Sequence, residues 1–348
     1  MKARRGTRWW LAYPTAVLLL VLLDAVLGFW RPAPARLPEQ FSPAYLGLVL
    51  DSAPRKVPTV VVFGDSVLWG YRIHERVTAI ATLRKRFPNL RFLNLAYEGG
   101  SMPNSEVMLR AVLRSGIDVV GVIANVNVKE FSTLDSTYRT LHPSLEAYGY
   151  DHLTLEDRTL LVSHVGTDLN ARLGAFVERW WRLYRLRMDI RERLFGHDDL
   201  AGALATQLHA ITGEAATEEA QHRPTPDLFL GTYDLAPITA HNVGMHYYRA
   251  FVDELCARRV PSLLFLTPTN HQLLHEYIDN PDYDANLSRL EKVPDCEAVR
   301  IVNLDSAIAP ARFLDNDHLD VLGQQQLAAD LTPYLVVDLA PHLARSAK

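Results

Sequence analysis

The longest uninterrupted apolar stretch lies at the start of the chain. Residues 9–30 carry one formal charge, Asp24, and as a helix they would reach about 33 Å, enough for a bilayer core. Trp9, Trp10, Phe29 and Trp30 fall at its two ends, where aromatic rings favour membrane interfaces. Lys2, Arg4, Arg5 and Arg8 precede it, which predicts a cytoplasmic N-terminus and a chain that lies outside the cytoplasm after residue 30. Residues 1–30 are thus expected to be a cytoplasmic tail and transmembrane anchor, with Asp24 near the outer end, where a charge snorkels cheaply. Ala33-Pro34-Ala35 also resembles a signal-peptide cleavage site. An uncleaved anchor is the expectation, because the apolar run exceeds a usual signal core. Residues 31–56 contain Pro32, Pro34, Pro38, Pro43 and Pro54 and read as an extended stalk.

The pattern then changes to short apolar runs alternating with amphipathic ones. VPTVVVF (57–63), RFLNLA (91–96), DVVGVIA (118–124), PSLLFLT (261–267) and RIVNL (300–304) read as strands, the first of them continuously apolar, as in a parallel sheet buried on both faces. Helical spacing occurs at 76–87 and 106–115, so the fold class is α/β with a central parallel sheet. Such sheets collect chemistry at the carboxyl ends of their strands. The alternation fails between about 131 and 240, predicting an insertion within a domain that spans 57–340. Its clearest element is a helix over 168–194, with Leu173, Phe176, Val177, Trp180, Leu183, Tyr184 and Ile190 at helical spacing and Arg172, Arg179, Arg182, Arg185, Arg187, Arg191 and Arg193 among them. That helix either covers the sheet with a solvated basic face or meets anionic lipid or a membrane partner. Residues 201–226, rich in Ala, Thr, Glu and Gln, read as a mobile excursion.

Composition narrows the function classes. A net charge of −4 gives no global attraction to nucleic acid. Cys256 and Cys296 form neither a CxxC nor a zinc-ribbon pattern; two separate buried thiols are the expectation, with a disulfide the alternative outside the cytoplasm. His271 and His275 have the i, i+4 spacing of a metal pair but lack HExxH and a third ligand. No metal or cofactor is expected.

The chemistry sits in short motifs, most of them at strand ends. Gly64-Asp65-Ser66 follows the first strand, Gly99-Gly100 the second, Asn125-Val126-Asn127 the third, and Asp315-Asn316-Asp317-His318 lies far downstream. A serine hydroxyl becomes a nucleophile when a histidine takes its proton, and that histidine needs a carboxylate to orient it. Ser66, His318 and Asp315 supply the three, with Asp317 a rival orienter. Asp65 is expected to shape the turn. Backbone N–H groups of Ser66 and Gly99 and the Asn127 amide supply an oxyanion hole. Trp69 and Tyr71 line a pocket or pack in the core.

These blocks resemble those of the SGNH, or GDSL-like, hydrolase superfamily, over about residues 57–130 and 258–340. The resemblance implies a flavodoxin-like three-layer α/β/α sandwich, with Ser66 as nucleophile, Asp315 and His318 as the DxxH pair, and Gly99 and Asn127 as the glycine and asparagine of blocks two and three. Block three departs from the usual GxND, which leaves Asn125 as a rival to Asn127. The N-terminal span and the insertion resemble a membrane-anchored subset that includes alginate O-acetylation and teichoic acid D-alanyl transfer proteins. That implies serine-dependent O-acyl transfer or ester hydrolysis, most naturally O-acetylation of an envelope or secreted polysaccharide. The implied partners are an acyl donor, a glycan or ester substrate and a membrane-bound O-acyltransferase. A lipid or small-ester hydrolase and a noncatalytic binding protein are the alternatives.

Overall fold

The computed structural model describes residues 9–29, 32–134, 136–142, 145, 159–161, 169–195, 232–233 and 236–339. Its frame is a five-stranded parallel sheet of β1 (Thr59–Phe63), β2 (Arg91–Asn94), β3 (Val119–Val126), β4 (Ser262–Leu266) and β5 (Val299–Asn303), in the order β2-β1-β3-β4-β5. β1 is buried along its whole length and β5, at the edge, is half open, which is why the first reads as an unbroken apolar run. The chain steps one way from β1 to β2 and the other way afterwards. With right-handed crossovers, this reversal sends helices to both faces and opens a crevice at the carboxyl ends of β1 and β3.

The helices follow that rule. In chain order they are α1 (Trp9–Leu27), α2 (Pro43–Ser52), α3 (Ser66–Trp69), α4 (Ala79–Arg86), α5 (Met102–Arg114), α6 (Leu169–Trp180), α7 (Arg182–Phe195), α8 (Val243–Arg258), α9 (His271–Ile278), α10 (Pro281–Glu291) and α11 (Val321–Asp338). α4 packs with α11, and α5 packs with α8. Together with the central parallel sheet they make the expected α/β arrangement.

Three expectations need correction. First, the extended stalk expected over residues 31–56 is folded chain within its described part, residues 32–56. Ser42 caps α2 by accepting from the Tyr45 N–H, with Pro43 at its first turn, where proline is tolerated. Leu37, Phe41, Tyr45, Leu46, Val49 and Leu50 are buried in the main core, so the prolines punctuate folded chain. Second, the helix expected over 168–194 breaks at Trp181 into α6 and α7. Asp24 accepts from the Leu183 N–H at 2.9 Å and lies 3.9 Å from the Arg182 guanidinium. It thereby supplies, from α1, the cap that α7 lacks locally. Third, Cys256 and Cys296 are disulfide-bonded, joining the last turn of α8 to the chain entering β5. The bond is the alternative the sequence left open, and with 40 residues between the cysteines nothing local marks it. Among the described residues no helix is long and apolar enough to cross a membrane. α1 has 19 residues with Pro14 inside it, and it leaves Tyr13, Val17, Leu18, Leu19, Leu20, Val21, Leu22, Leu23 and Val26 exposed. Residues 201–226, expected to be mobile, lie outside the described residues.

Candidate active site

The site is built on the turn after β1. Gly64 adopts φ +146°, and a side chain there would place its Cβ 1.8 Å from Asn125 Oδ1, so glycine is required on both counts. Asp65 caps α3 by accepting from the Val67 N–H at 2.8 Å, and its own N–H donates to Asn125 Oδ1 at 3.2 Å. Its carboxylate also takes hydrogen bonds from the side-chain amides of Asn125 and Asn127, each at 2.9 Å. Asp65 is therefore the post around which the nucleophile turn is wound, as expected from its position.

Ser66 follows as the first residue of α3, and its hydroxyl meets His318 Nε2 at 2.7 Å. On the other side of the imidazole, Nδ1 lies 2.7 Å from Asp315 Oδ2 and 2.9 Å from Oδ1. The three residues singled out from the sequence thus form one continuous relay. Asp315 owes its position to a folded loop. Phe313 and Leu319 form an antiparallel bridge, Leu314 N–H donates to the His318 carbonyl at 2.7 Å, and Asp315 Oδ1 accepts from the His318 N–H at 2.9 Å. Asn270, after β4, clamps that loop from outside through its N–H to the Asn316 carbonyl at 2.8 Å and its amide to the Asp315 carbonyl at 3.0 Å. Gln324, in α11, donates to the Val67 carbonyl and accepts from the Ala79 N–H, each at 2.8 Å. The helix after the DxxH loop is thereby fastened to the helix that carries Ser66.

The oxyanion donors divide. As the first residue of a helix, Ser66 has an N–H with no intrahelical acceptor, and Gly99 sits at φ +76° in the loop after β2 with open space around it. That loop is pinned to the nucleophile turn by Tyr97 N–H donating to the Gly64 carbonyl at 3.3 Å. Asn127 differs from its expected role. Its Nδ2 donates both to Asp65 Oδ2 and to Asp317 Oδ2, at 2.9 Å each, so both amide protons are committed. The rival Asn125 is committed too, bridging Asp65 and the Thr267 hydroxyl at 2.9 Å.

Asp317, weighed as the alternative orienter, is fully buried and stands 3.7 Å from His318 Nδ1, farther than Asp315. Its Oδ2 also receives the ammonium of Lys129. Sequence reasoning missed Lys129; the nearest signal was its place just after block three, whose departures from GxND fall at Asn125 and Val128. Its ammonium is raised well above the ordinary lysine value: burial, the largest single influence, lowers it, and Asp317 together with Tyr138, Asp65 and Tyr233 more than offsets that. Burial also works against the charged imidazole of His318, yet Asp317 and the hydrogen bond to Asp315 hold its pKa above the usual 6.5.

The neighbouring candidates resolve as follows. Trp69 is core: its indole N–H donates to the Leu37 carbonyl at 2.6 Å and Arg36 lies 4.0 Å over its ring. Tyr71 borders the site, its ring centroid 4.3 Å from that of His318. His271 pairs with Asp305 at 2.6 Å, and His275 is exposed, its ring hydrogen-bonding position facing the Gln272 carbonyl at 3.2 Å, so the two do not converge on a metal.

No protein-family model and no curated protein sequence matches this chain. Solved structures do match. One described as the crystal structure of TesA covers 81% of this chain and 99% of its own, at 10% identity and a TM-score of 0.37. LAE5, described as an α/β hydrolase enzyme from the metagenome of Lake Arreo, Spain, covers 80% and 94%, at 14% identity and a TM-score of 0.35. A lipolytic protein of the G-D-S-L family from Desulfitobacterium hafniense covers 80% and 99%, at 10% identity and a TM-score of 0.35. Likeness at this level carries no argument about activity, which rests on the site geometry.

Proposed function

We propose that this chain is a serine-dependent esterase or O-acyltransferase of the SGNH kind, working through an acyl-Ser66 intermediate. The observation that carries the proposal is the unbroken relay Ser66 Oγ to His318 Nε2 at 2.7 Å and His318 Nδ1 to Asp315 Oδ2 at 2.7 Å. A hydroxyl so placed attacks an ester carbonyl while Nε2 takes its proton. The carbonyl oxygen becomes an oxyanion facing the N–H groups of Ser66 and Gly99. As the intermediate collapses, the leaving alcohol oxygen receives the proton from Nε2, and the acyl group remains on Ser66. A second hydroxyl, from water or from an acceptor sugar, then enters by the reverse path and frees the serine. No cofactor enters these steps.

The finer reading is O-acetylation of an envelope or secreted polysaccharide by a protein held at the outer face of the cytoplasmic membrane, beside a membrane-bound O-acyltransferase. Three features support it. α1 exposes a continuous set of leucines and valines, as a lipid-facing helix does. Lys2, Arg4, Arg5 and Arg8 precede it, favouring a cytoplasmic N-terminus. The Cys256–Cys296 disulfide fits an oxidising compartment. The test is labelling of the purified protein with an active-serine phosphonate, together with a periplasm-dependent reporter fused after Lys348. Labelling that disappears in Ser66→Ala is expected; labelling that persists there removes the proposed nucleophile, and an inactive reporter removes the topology.

A further inference from the structure

The relay uses one of the two carboxylates beside the catalytic imidazole. The other, Asp317, is buried, and among the described residues its Oδ1 has no hydrogen-bond partner. A carboxylate in that position needs a cation close by, and Lys129 provides it. Its ammonium meets Asp317 Oδ2, the same oxygen that accepts from Asn127. The two residues come from separate segments, Lys129 from the one after β3 and Asp317 from the DxxH loop.

Resting on the serine-hydrolase reading above, we propose that Lys129 and Asp317 are a positioning pair for His318. Asp317 stands as a second carboxylate behind the imidazole, and Lys129 offsets its charge so that the ring can still exist in the neutral form that accepts the Ser66 proton. The charged and polar groups around the ring support this division. Asp315 and Asp317 face it from its own loop and favour the imidazolium. Lys129 opposes them. Glu98 acts on it from the loop after β2, where Arg72 partly compensates that carboxylate. The Tyr71 ring and the Ser66 hydroxyl complete the surroundings. Without Lys129, the three carboxylates would further favour the charged imidazole, which cannot accept the Ser66 proton.

The same pair explains the committed state of Asn127. Asp317 Oδ2, anchored by Lys129, draws one amide proton away from the oxyanion position, and Asp65 draws the other. Lys129 and Asp317 act through His318 and Asn127, the groups they meet.

The test follows the rate of phosphonate labelling of Ser66 against pH, a readout that needs no knowledge of the natural substrate. Lys129→Met leaves Asp317 uncompensated, and its acid limb should move up by roughly one pH unit. Asp317→Asn leaves Lys129 uncompensated, and its limb should move down by a similar amount. Lys129→Met/Asp317→Asn holds no lone buried charge and should fall between the parent and Asp317→Asn, because Asp317 acts on His318 more strongly than Lys129 does. A packing role alone would slow labelling in each variant without shifting the limbs in opposite directions. If either single variant does not fold, the double variant decides: a limb displaced downward supports the pair, and a limb that is unmoved or displaced upward overturns it. Labelling that survives Ser66→Ala would refute the serine reading itself, whereas loss of labelling there with unmoved limbs refutes only the pair.

Discussion

Removing residues 1–56 should destroy the catalytic fold, whereas removing only residues 1–31 should leave it intact. The segment between the two cuts contributes Leu37, Phe41, Tyr45, Leu46, Val49 and Leu50 to the core. At about 1.5–3 kcal/mol for each buried side chain, their loss amounts to roughly 10 kcal/mol or more, comparable with the whole net stability of a typical domain. Polar links are lost as well. Arg36 donates to the carbonyls of Trp69 and Gly70 at 2.8 Å each and to that of Ile73 at 3.4 Å, at the end of the helix that begins with Ser66. Tyr45 OH donates to Asp189 in α7 at 2.9 Å. The assay is thermal melting by circular dichroism alongside phosphonate labelling of Ser66. The chain starting at residue 32 should melt cooperatively and label at the full-length rate; the chain starting at residue 57 should show neither behaviour. Arg36→Met in the longer form should cost about 3 kcal/mol, from hydrogen bonds of a buried charge to carbonyls that are left unpaired. A chain beginning at residue 57 with an unchanged melting temperature and an unchanged labelling rate would show that the segment is a stalk after all.

Three further outcomes follow from the geometry. Activity on a small acetyl ester should fall on the acid side with a midpoint above the ordinary imidazole value of 6.5, because Asp317 and Asp315 outweigh burial at His318; a pH–rate profile with its limb below that value would contradict the charge arrangement. Cys256→Ser should lower stability by about 2–4 kcal/mol, as expected for opening a loop of this length, with no change in the labelling rate of the folded fraction; denaturant melts under oxidising and reducing conditions measure it. His271 is raised above the usual histidine value chiefly by its hydrogen bond to Asp305, so its contribution is complete below the unfolded-state value near 6.5 and is lost as pH rises through the raised one. Comparing the melting temperatures of parent and His271→Ala across about pH 6 to 8 should show the difference shrinking upward.

What could be read in advance was what is written locally. Gly64-Asp65-Ser66 and the DxxH pair each depend on a single turn, and the five strands declare themselves by short runs rich in Val, Ile, Leu and Phe, continuous in β1 and interrupted in β2 and β5. The missed features depend on partners far away in the chain. Arg36 finds its acceptors 33 to 37 residues on, and nothing in the prolines around it marks a buried guanidinium. Lys129 meets Asp317 across 188 residues, and a lysine after a strand ordinarily reads as a solvated side chain. The break at Trp181 is equally remote in origin, since the cap of α7 comes from Asp24, 159 residues before Leu183. Asn127 shows the limit from the other side. Its place in the site was legible, but whether its amide faces substrate or carboxylate depends on Asp317 and Lys129.

These long-range links change how the enzyme would work at a surface. A flexible linker over residues 31–56 would let the active site wander over roughly 28 Å from its point of attachment. The folded segment replaces that freedom with a chain of fixed contacts. Asp24 in α1 holds the start of α7, Tyr45 in α2 holds Asp189 further along α7, and Arg36 holds the end of the helix that begins with Ser66. Under the proposed membrane reading, α1 is therefore a mount and not a tether, and Ser66 sits at one height and one orientation above the bilayer. A flexible tether raises the local concentration of a donor but leaves orientation to chance, whereas acyl transfer from a membrane-bound partner needs the carbonyl presented along one line of attack. An esterase acting on diffusing substrates gains nothing from such a mount. Under that proposed reading the contacts linking α1 to the helix of Ser66 favour transfer over hydrolysis, and breaking them at Asp24 while leaving the relay untouched should separate the two activities.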